Sequence, residues 1–396
     1  MTAPNQRVLT INSGSSSLKA ALYWMGEQES LRLSVEVSRI GSPMGSRLQI
    51  TDASGETLLD RQNDLSDNNA ALQELFAWLA RQDEGQSLDA VGHRIVHGGH
   101  RYREPQLVTP ELLAALQALM PLDPDHLSQA INGIKFVKSC FPALPQIACF
   151  DTAFHRQMPR VARMYALPHN FYDEGIQRLG FHGLSYEYIT EQLRALDGAA
   201  ADGRVIVAHL GNGASLAAIR GGKSIDTSMG FTPTEGLVMG TRAGDIDPGL
   251  LLYLIEEKKM TLEAIKTLIN KQAGLLGVSG TSADMRDLLE REATDPHAAE
   301  AIDLFCYRAK KYLGAYAAAL GGVEILVFTG GIGEHAAAIR ERICAGLEFL
   351  GIKLDATRNQ ANAPVISGDD SRVKVRVIKT NEDLMIARHT IKLTGQ

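Results

Sequence analysis

Two apolar runs, "VLTI" and "LKAALYW", flank the small polar turn "NSGSSS" at residues 12–17, so the chain opens as a β-hairpin. "LRLSVEVSRI" then alternates apolar and polar residues and predicts a third strand, followed by polar, glycine-containing loops. Apolar positions at Leu72, Leu75, Phe76 and Leu79 predict a helix over 68–81. "DAVGHRIVHGGH" reads as a strand entering a glycine turn. "TPELLAALQALM" and "DPDHLSQAINGIKFVKSC" each carry a cap residue and Pro at the start of a helix, and "PQIACFD" is a buried strand ending on an acid.

From residue 204 the pattern restarts. "RVIVAHLGNGASLAAIRGGKSIDTS" reads strand, small-residue turn, strand, Gly-Gly turn, strand. Both hairpins resume on Ser-Leu and an Ala-Ala pair, "SLKAAL" at 17–22 and "SLAAI" at 215–219, which points to two domains of related plan. Helices dominate after 248: "PGLLLYLIEEKK", "TLEAIKTLINKQ", "SADMRDLLERE" with Ser282 as N-cap, and the long "HAAEAIDLFCYRAKKYLGAYAAALGG". "EILVFTGGIGEHAAAIRERI" is strand, Gly-rich turn, helix. The chain closes with strand "VKVRVIK" and a helix opened by "TNEDLMIARHT".

At 396 residues, 45% hydrophobic and 22% charged, the chain exceeds one simple core, and two domains are expected. The net charge of −6 gives no general drive toward nucleic acid or an anionic membrane. "MTAPNQRVLTI" lacks the charged and long apolar regions of a secretion signal, and no run reaches membrane-spanning length, so a cytoplasmic protein is expected. Cys140, Cys149, Cys306 and Cys344 form no CxxC pair and read as small buried thiols.

Candidate chemistry gathers at three turns, "NSGSSS", "HLGNGAS" and "TGGIGEH", each after an apolar strand. Small residues let backbone N–H groups converge on an anion, and the third turn also opens a helix. None is a GxxxxGK[ST] loop. Each turn alone reads as an ordinary hairpin or strand-helix turn, but three together favour a nucleotide cradle. Asp151 and Glu382 stand where strand or helix ends would place them at a cleft; the alternatives are an N-cap and a first-turn helix acid. Arg94 and Arg242 lie beside glycine turns, suited to bidentate binding of carboxylate or phosphate, with ion pairing to Asp245 or Asp247 the alternative for Arg242. His182 in "GFHGLS" is either a satisfied core histidine or a phosphate donor.

In order and spacing, "INSGSSSLK", "GHRIVHGG", "FDTAFH", "GFHGLS", "HLGNGASLAAI", "DTSMGFTPTEGLVMGTRAGDIDPG", "VFTGGIGEHAAAIR" and "TNEDLMIARHT" resemble the acetate and propionate kinases over nearly the whole chain. The resemblance implies an α/β fold of the actin and sugar-kinase type. Two related actin-like, ribonuclease H-like domains, each with a mixed five-stranded sheet flanked by helices, would close over an active-site cleft. The first would comprise residues 1–150 plus 383–396, and the second 151–382 with the nucleotide site and dimer interface. The implied reaction is Mg²⁺-dependent transfer of the ATP γ-phosphoryl group to a short-chain carboxylate, with Mn²⁺ as a substitute metal and ADP as product. A homodimer is expected; nucleic acid and membrane are not expected partners.

By matching motif, the resemblance puts Asn12 and Glu382 at the metal and Lys19 on phosphate. Arg94 would hold the substrate carboxylate, and Asp151 would serve as the acid/base or metal-organising residue. His182 and Arg242 would stabilise the phosphoryl group in transfer. ATP would meet His209, Leu210, Gly211, Asn212 and Gly213, then Asp284, Met285 and Arg286, then Gly330, Gly331, Ile332, Gly333 and Glu334. Val96, Leu122, Phe181 and Pro233 would line the acyl pocket. In the departing stretch "PLDPDHLSQAINGI", either His126 or Asp123 takes the place of the family's histidine. Propionate or butyrate is the alternative acid. An ATP-driven binding protein of the same fold is the alternative class.

Overall fold

The computed structural model describes residues 5–14, 16–82 and 88–395, without the side chains of Leu122, Pro124 and Asp125. The chain divides into two compact units: residues 1–153 with 381–396, and residues 154–380. Asp151 and Glu382 therefore both belong to the first.

The first unit begins with the antiparallel meander β1 (Gln6–Ser13), β2 (Leu18–Met25) and β3 (Ser30–Ser38). β6 (Ala90–Ile95) and β8 (Gln146–Phe150) then join β1 in parallel. The sheet is wider than the five strands expected. Among the described residues it has eight, because a further hairpin, β4 (Ser46–Asp52) and β5 (Thr57–Asn63), extends one edge, and the short β7 (Gln106–Leu107) pairs antiparallel with β8 at the other. Helices Asn68–Arg81 and Pro124–Cys140 pack on one face, with Leu72, Leu75, Leu79 and Val137 meeting Leu9, Ile11 and Leu22 in one core. The C-terminal helix Glu382–Thr394 lies against Val8, Ala21 and Tyr23 on the other face. Its approach is close: a Cβ on Gly92 would stand 2.4 Å from the Ile386 side chain, so only glycine fits in β6 there.

The second unit repeats the plan without the edge additions. β9 (Arg204–Leu210), β10 (Ala214–Arg220) and β11 (Lys223–Thr227) form the meander, and β12 (Ile325–Thr329) and β13 (Lys374–Val377) extend β9 in parallel. The order β11-β10-β9-β12-β13 matches β3-β2-β1-β6-β8 strand for strand. β12 is buried at every position, as a central parallel strand must be. Helix Gly183–Asp197 contributes Tyr186, Ile189 and Leu193 to the core with Val205, Val207 and Val327.

Two local expectations are corrected. The helix Met285–Arg291 is capped by Asp284, whose carboxylate accepts from the Arg286 amide at 2.8 Å, and not by Ser282, whose hydroxyl accepts from the Asp284 amide instead. Cys140, the last residue of its helix, is exposed, whereas Cys149, Cys306 and Cys344 are buried. No helix among the described residues is long and apolar enough to cross a membrane.

Candidate active site

In the first unit the β1–β2 ladder sets Asn12 opposite Lys19. The parallel β6 brings Arg94 alongside, where Nη1 donates to Asn12 Oδ1 at 3.1 Å and Nη2 to Asp151 Oδ2 at 2.5 Å. Asp151 is fully buried at the end of β8, with its amide on Ile95 O, so the ion pair is shielded from water on the carboxylate side. The Asp151 side chain is thus engaged by Arg94 and is not a solvated acid. Glu382 and Asp383 open the C-terminal helix beside this group. Loss of hydration raises both carboxyls above their ordinary range; Arg94 and Lys19 oppose the rise, while Asp151 acts on Glu382 and Glu382 on Asp383 to increase it. Asp383 also accepts from the Thr10 hydroxyl at 3.2 Å. Sequence reasoning passed over Asp383, although its adjacency to Glu382 was a visible signal. Val96 follows β6 and is buried. The Leu122 side chain lies outside the described residues.

At the altered loop both rivals are present and bonded to each other. Asp123 caps the helix Pro124–Cys140, accepting from the His126 amide and, at 3.0 Å, from His126 Nδ1. Burial alone would raise the Asp123 carboxyl, but the hydrogen bonds and charge of His126 bring it below the usual range.

In the second unit His182 sits in the left-handed region, φ 59°, as the residue preceding helix Gly183–Asp197. Its ring stacks on His209 with centroids 4.3 Å apart. Each Nδ1 is held by a serine, Ser215 for His182 at 2.9 Å and Ser185 for His209 at 2.8 Å. The Nε2 edge of His182 and the guanidinium of Arg242 meet over the β9–β10 turn: a Cβ on Gly213 would stand 3.2 Å from His182 Nε2 and 2.8 Å from Arg242 Nη2. Glycine is what leaves that space open. Arg242 Nη1 donates to Pro233 O at 2.7 Å, Asp247 caps its own helix, and Asp245 accepts from the Gly236 amide and Tyr312 hydroxyl. Phe181 is buried, its carbonyl bonded to His155.

The two glycine turns of this unit adjoin. A Cβ on Gly330 would fall 2.7 Å from Leu210 O, and one on Gly211 4.0 Å from the Gly331 amide. Gly240 binds the turn from the other side, donating to Asn212 O at 3.0 Å, and Ala283 O packs near Gly240, so the 284–286 segment borders the same turn. Met285 is buried and Arg286 is exposed. The third turn differs from its expectation. "GGIGEH" is itself a short helix, Gly330–His335, and the Glu334 side chain folds back on its first turn, Oε1 accepting from the amides of Gly330 at 2.9 Å and Thr380 at 3.2 Å.

Among the described residues no three His, Cys, Asp or Glu side chains gather as an all-protein metal cage. The donors around Arg94 are carboxylate and amide oxygens. This suits Mg²⁺, which keeps waters and is typically bound through one or two carboxylates plus substrate phosphates.

Sequence and structure relatives match this chain along nearly its whole length. The acetokinase family profile matches residues 7–388. Acetate kinase of Rhodopseudomonas palustris is 47% identical over 392 residues, covering 98% of this chain and 98% of that protein. The crystal structure of Porphyromonas gingivalis acetate kinase superposes with a TM-score of 0.87 at 40% identity, covering 98% of this chain and 99% of that one. That of a propionate kinase from Francisella tularensis reaches 0.91 at 36% identity, covering 98% and 100%. Likeness of this extent, running through both units, means that the chain belongs to the acetokinase family and is a phosphotransferase with a carboxyl acceptor, moving the γ-phosphoryl group of ATP to acetate to give acetyl phosphate and ADP.

Proposed function

We propose that the two clusters divide the reaction between them. Arg94 binds the acid's carboxylate, and Asp151 with Asn12 fixes the plane of the guanidinium. His182 and Arg242 take the equatorial oxygens of the transferring phosphoryl group. ATP rests on 209–213, 284–286 and 330–334, and Lys19 neutralises phosphate charge. The observation that carries this reading is the convergence of His182 Nε2 and Arg242 Nη2 on the space kept open by Gly213.

A carboxylate oxygen attacks the γ-phosphorus, an O–P bond forms, and the bond to the β-phosphate oxygen breaks with its electrons leaving on ADP. No proton moves, because the nucleophile is already an anion. Catalysis is therefore alignment and charge neutralisation, and Asp151 acts by orienting Arg94 rather than as a base. Asn12 and Glu382 would hold Mg²⁺, or Mn²⁺ in its place, which when bound screens the β- and γ-phosphates. Capping already engages Asp123, which makes His126 the better residue for the phosphate contact.

Val96, Leu122, Phe181 and Pro233 would surround the acyl group. One methylene in an apolar pocket discriminates by only about 1–3 kcal/mol, so propionate is expected as a weaker substrate. The protein would work as a homodimer in the cytoplasm. The test is hydroxamate formation from ATP, Mg²⁺, hydroxylamine and acids of two to four carbons. Acetate is expected to give the highest kcat/KM, and no product from any of them would sink the reading.

A further inference from the structure

Arg178 belongs to none of the residues assigned above, yet its guanidinium holds the loop 227–235 of the second unit by four hydrogen bonds. Its Nη1 donates to three successive carbonyls, Thr227 at 3.2 Å, Ser228 at 3.2 Å and Met229 at 3.0 Å, while Nη2 pairs with Glu235 Oε1. The other carboxylate oxygen of Glu235 accepts from the Tyr165 hydroxyl, which in turn accepts from the Phe231 amide at 2.7 Å. One guanidinium therefore grips the loop 227–235 at both ends. Gly230 makes the closure sterically feasible, since a Cβ there would fall 1.5 Å from Glu235 Oε2 and 2.3 Å from Tyr165 Oη.

Two catalytic groups hang from this clamp. Pro233, on the gripped loop, supplies the carbonyl that receives Arg242 Nη1. On the other side Arg178 stands four residues before His182, and the intervening amides of Leu179 and Gly180 both donate to Gly230 O, at 3.0 and 3.2 Å. Stability alone is a poor reason for the pair, because a buried ion pair can often be replaced by apolar packing at no loss. A guanidinium that binds three carbonyls and a carboxylate is hard to replace.

We propose that Arg178, through Glu235 and the loop 227–235, is a positioning residue that sets the aim of Arg242 and His182 on the γ-phosphoryl group. The proposal rests on the assignment of Arg242 and His182 to that group. Glu235→Gln keeps the shape and removes the charge. Its kcat per folded molecule is expected to fall about 30-fold, with KM for acetate and ATP within roughly twofold. Arg178→Lys should lose more. In an Arg242→Lys background the same Glu235→Gln change should cost less than about threefold, because the residue it aims is already altered.

Equal losses in the two backgrounds would overturn the proposal, as would a kcat loss that merely tracks the folded fraction. Should Glu235→Gln fail to fold, Tyr165→Phe carries the same cycle with a smaller expected loss. Absence of hydroxamate from the unaltered protein would instead strike at the kinase reading of the site, so the two failures are distinguishable.

Discussion

From the shared Ser-Leu landmark, Ser17-Leu18 in one unit and Ser215-Leu216 in the other, the two hairpins part company. The first ladder ends at Ser13↔Leu18; the second runs two pairs further, through Ser215↔His209 to Ala214↔Leu210. The short hairpin sets exposed Lys19 opposite Asn12, next to a cluster in which Arg94 faces Asp151, Glu382 and Asp383. The long one carries its tip past the sheet and lays His209 against His182, with serines on both Nδ1 atoms. Duplicated backbone thus supports a buried cluster of facing charges in one unit and, in the other, a histidine stack held by serines with its space kept open by Gly213. In the first, removing a charge should cost stability as well as turnover. In the second, adding a small volume should cost turnover alone.

The largest effect tests the first half of that contrast. Arg94→Ala should lower turnover by about a thousandfold or more. Unfolding stability should also drop by roughly 3–5 kcal/mol, because fully buried Asp151 loses its cation. Arg242→Ala should match the turnover loss but cost little stability, since its guanidinium donates to the backbone carbonyl of Pro233. Hydroxamate kinetics paired with urea unfolding separates the two; equal destabilisation would remove the distinction between the clusters.

A smaller effect tests the other half. Gly213→Ala puts a methyl 2.8 Å from Arg242 Nη2, and turnover should fall about a hundredfold with the melting temperature hardly altered. In the other hairpin tip, Gly14→Ala meets the movable Ser17 Oγ at 2.9 Å and the Ser17 carbonyl at 3.4 Å, and about threefold is expected. If Gly14→Ala were the more damaging, the tip of the short hairpin would be the tighter phosphate cradle and the assignment of roles would reverse.

What could be read from the sequence was what local chemistry writes. Asp123-Pro124 and Thr109-Pro110 mark helix starts, and both caps are made as expected. The two meanders carry alternation or buried runs, and all six of their strands form. The β4–β5 hairpin was missed because β5 is exposed at nearly every position, so burial imposes no period on it. The Glu334 carboxylate in its own helix's N-terminus is invisible to a motif that counts glycines. Arg178 went unnoticed because its partner Glu235 is 57 residues away and neither lies in a phosphate turn. Residues that touch ligand tend to sit in compact motifs; residues that aim them are joined only by the fold.

The last contrast is between the units' responses to acid. His93, in β6 beside Arg94, is buried with Nε2 on Gln146 Oε1 at 2.7 Å, and loss of hydration pushes its pKa from 6.5 down to about 4. The folded unit therefore binds this proton more weakly than the unfolded chain does. The stabilising contribution is complete above 6.5 and is lost as pH falls through that value toward about 4. Between roughly pH 7 and pH 5 it amounts to about 2 kcal/mol. Both tryptophans, Trp24 and Trp78, lie in the first unit, so urea unfolding followed by their fluorescence reports that unit alone. The midpoint should fall over this range and the slope should flatten in His93→Gln. If acid lowers the fluorescence midpoint no less in His93→Gln than in the parent, the sensitivity belongs to another buried imidazole such as His97, whose pKa burial also lowers, and not to Glu382 and Asp383, whose raised carboxyls bind protons more tightly in the folded unit and would lift the midpoint as pH falls.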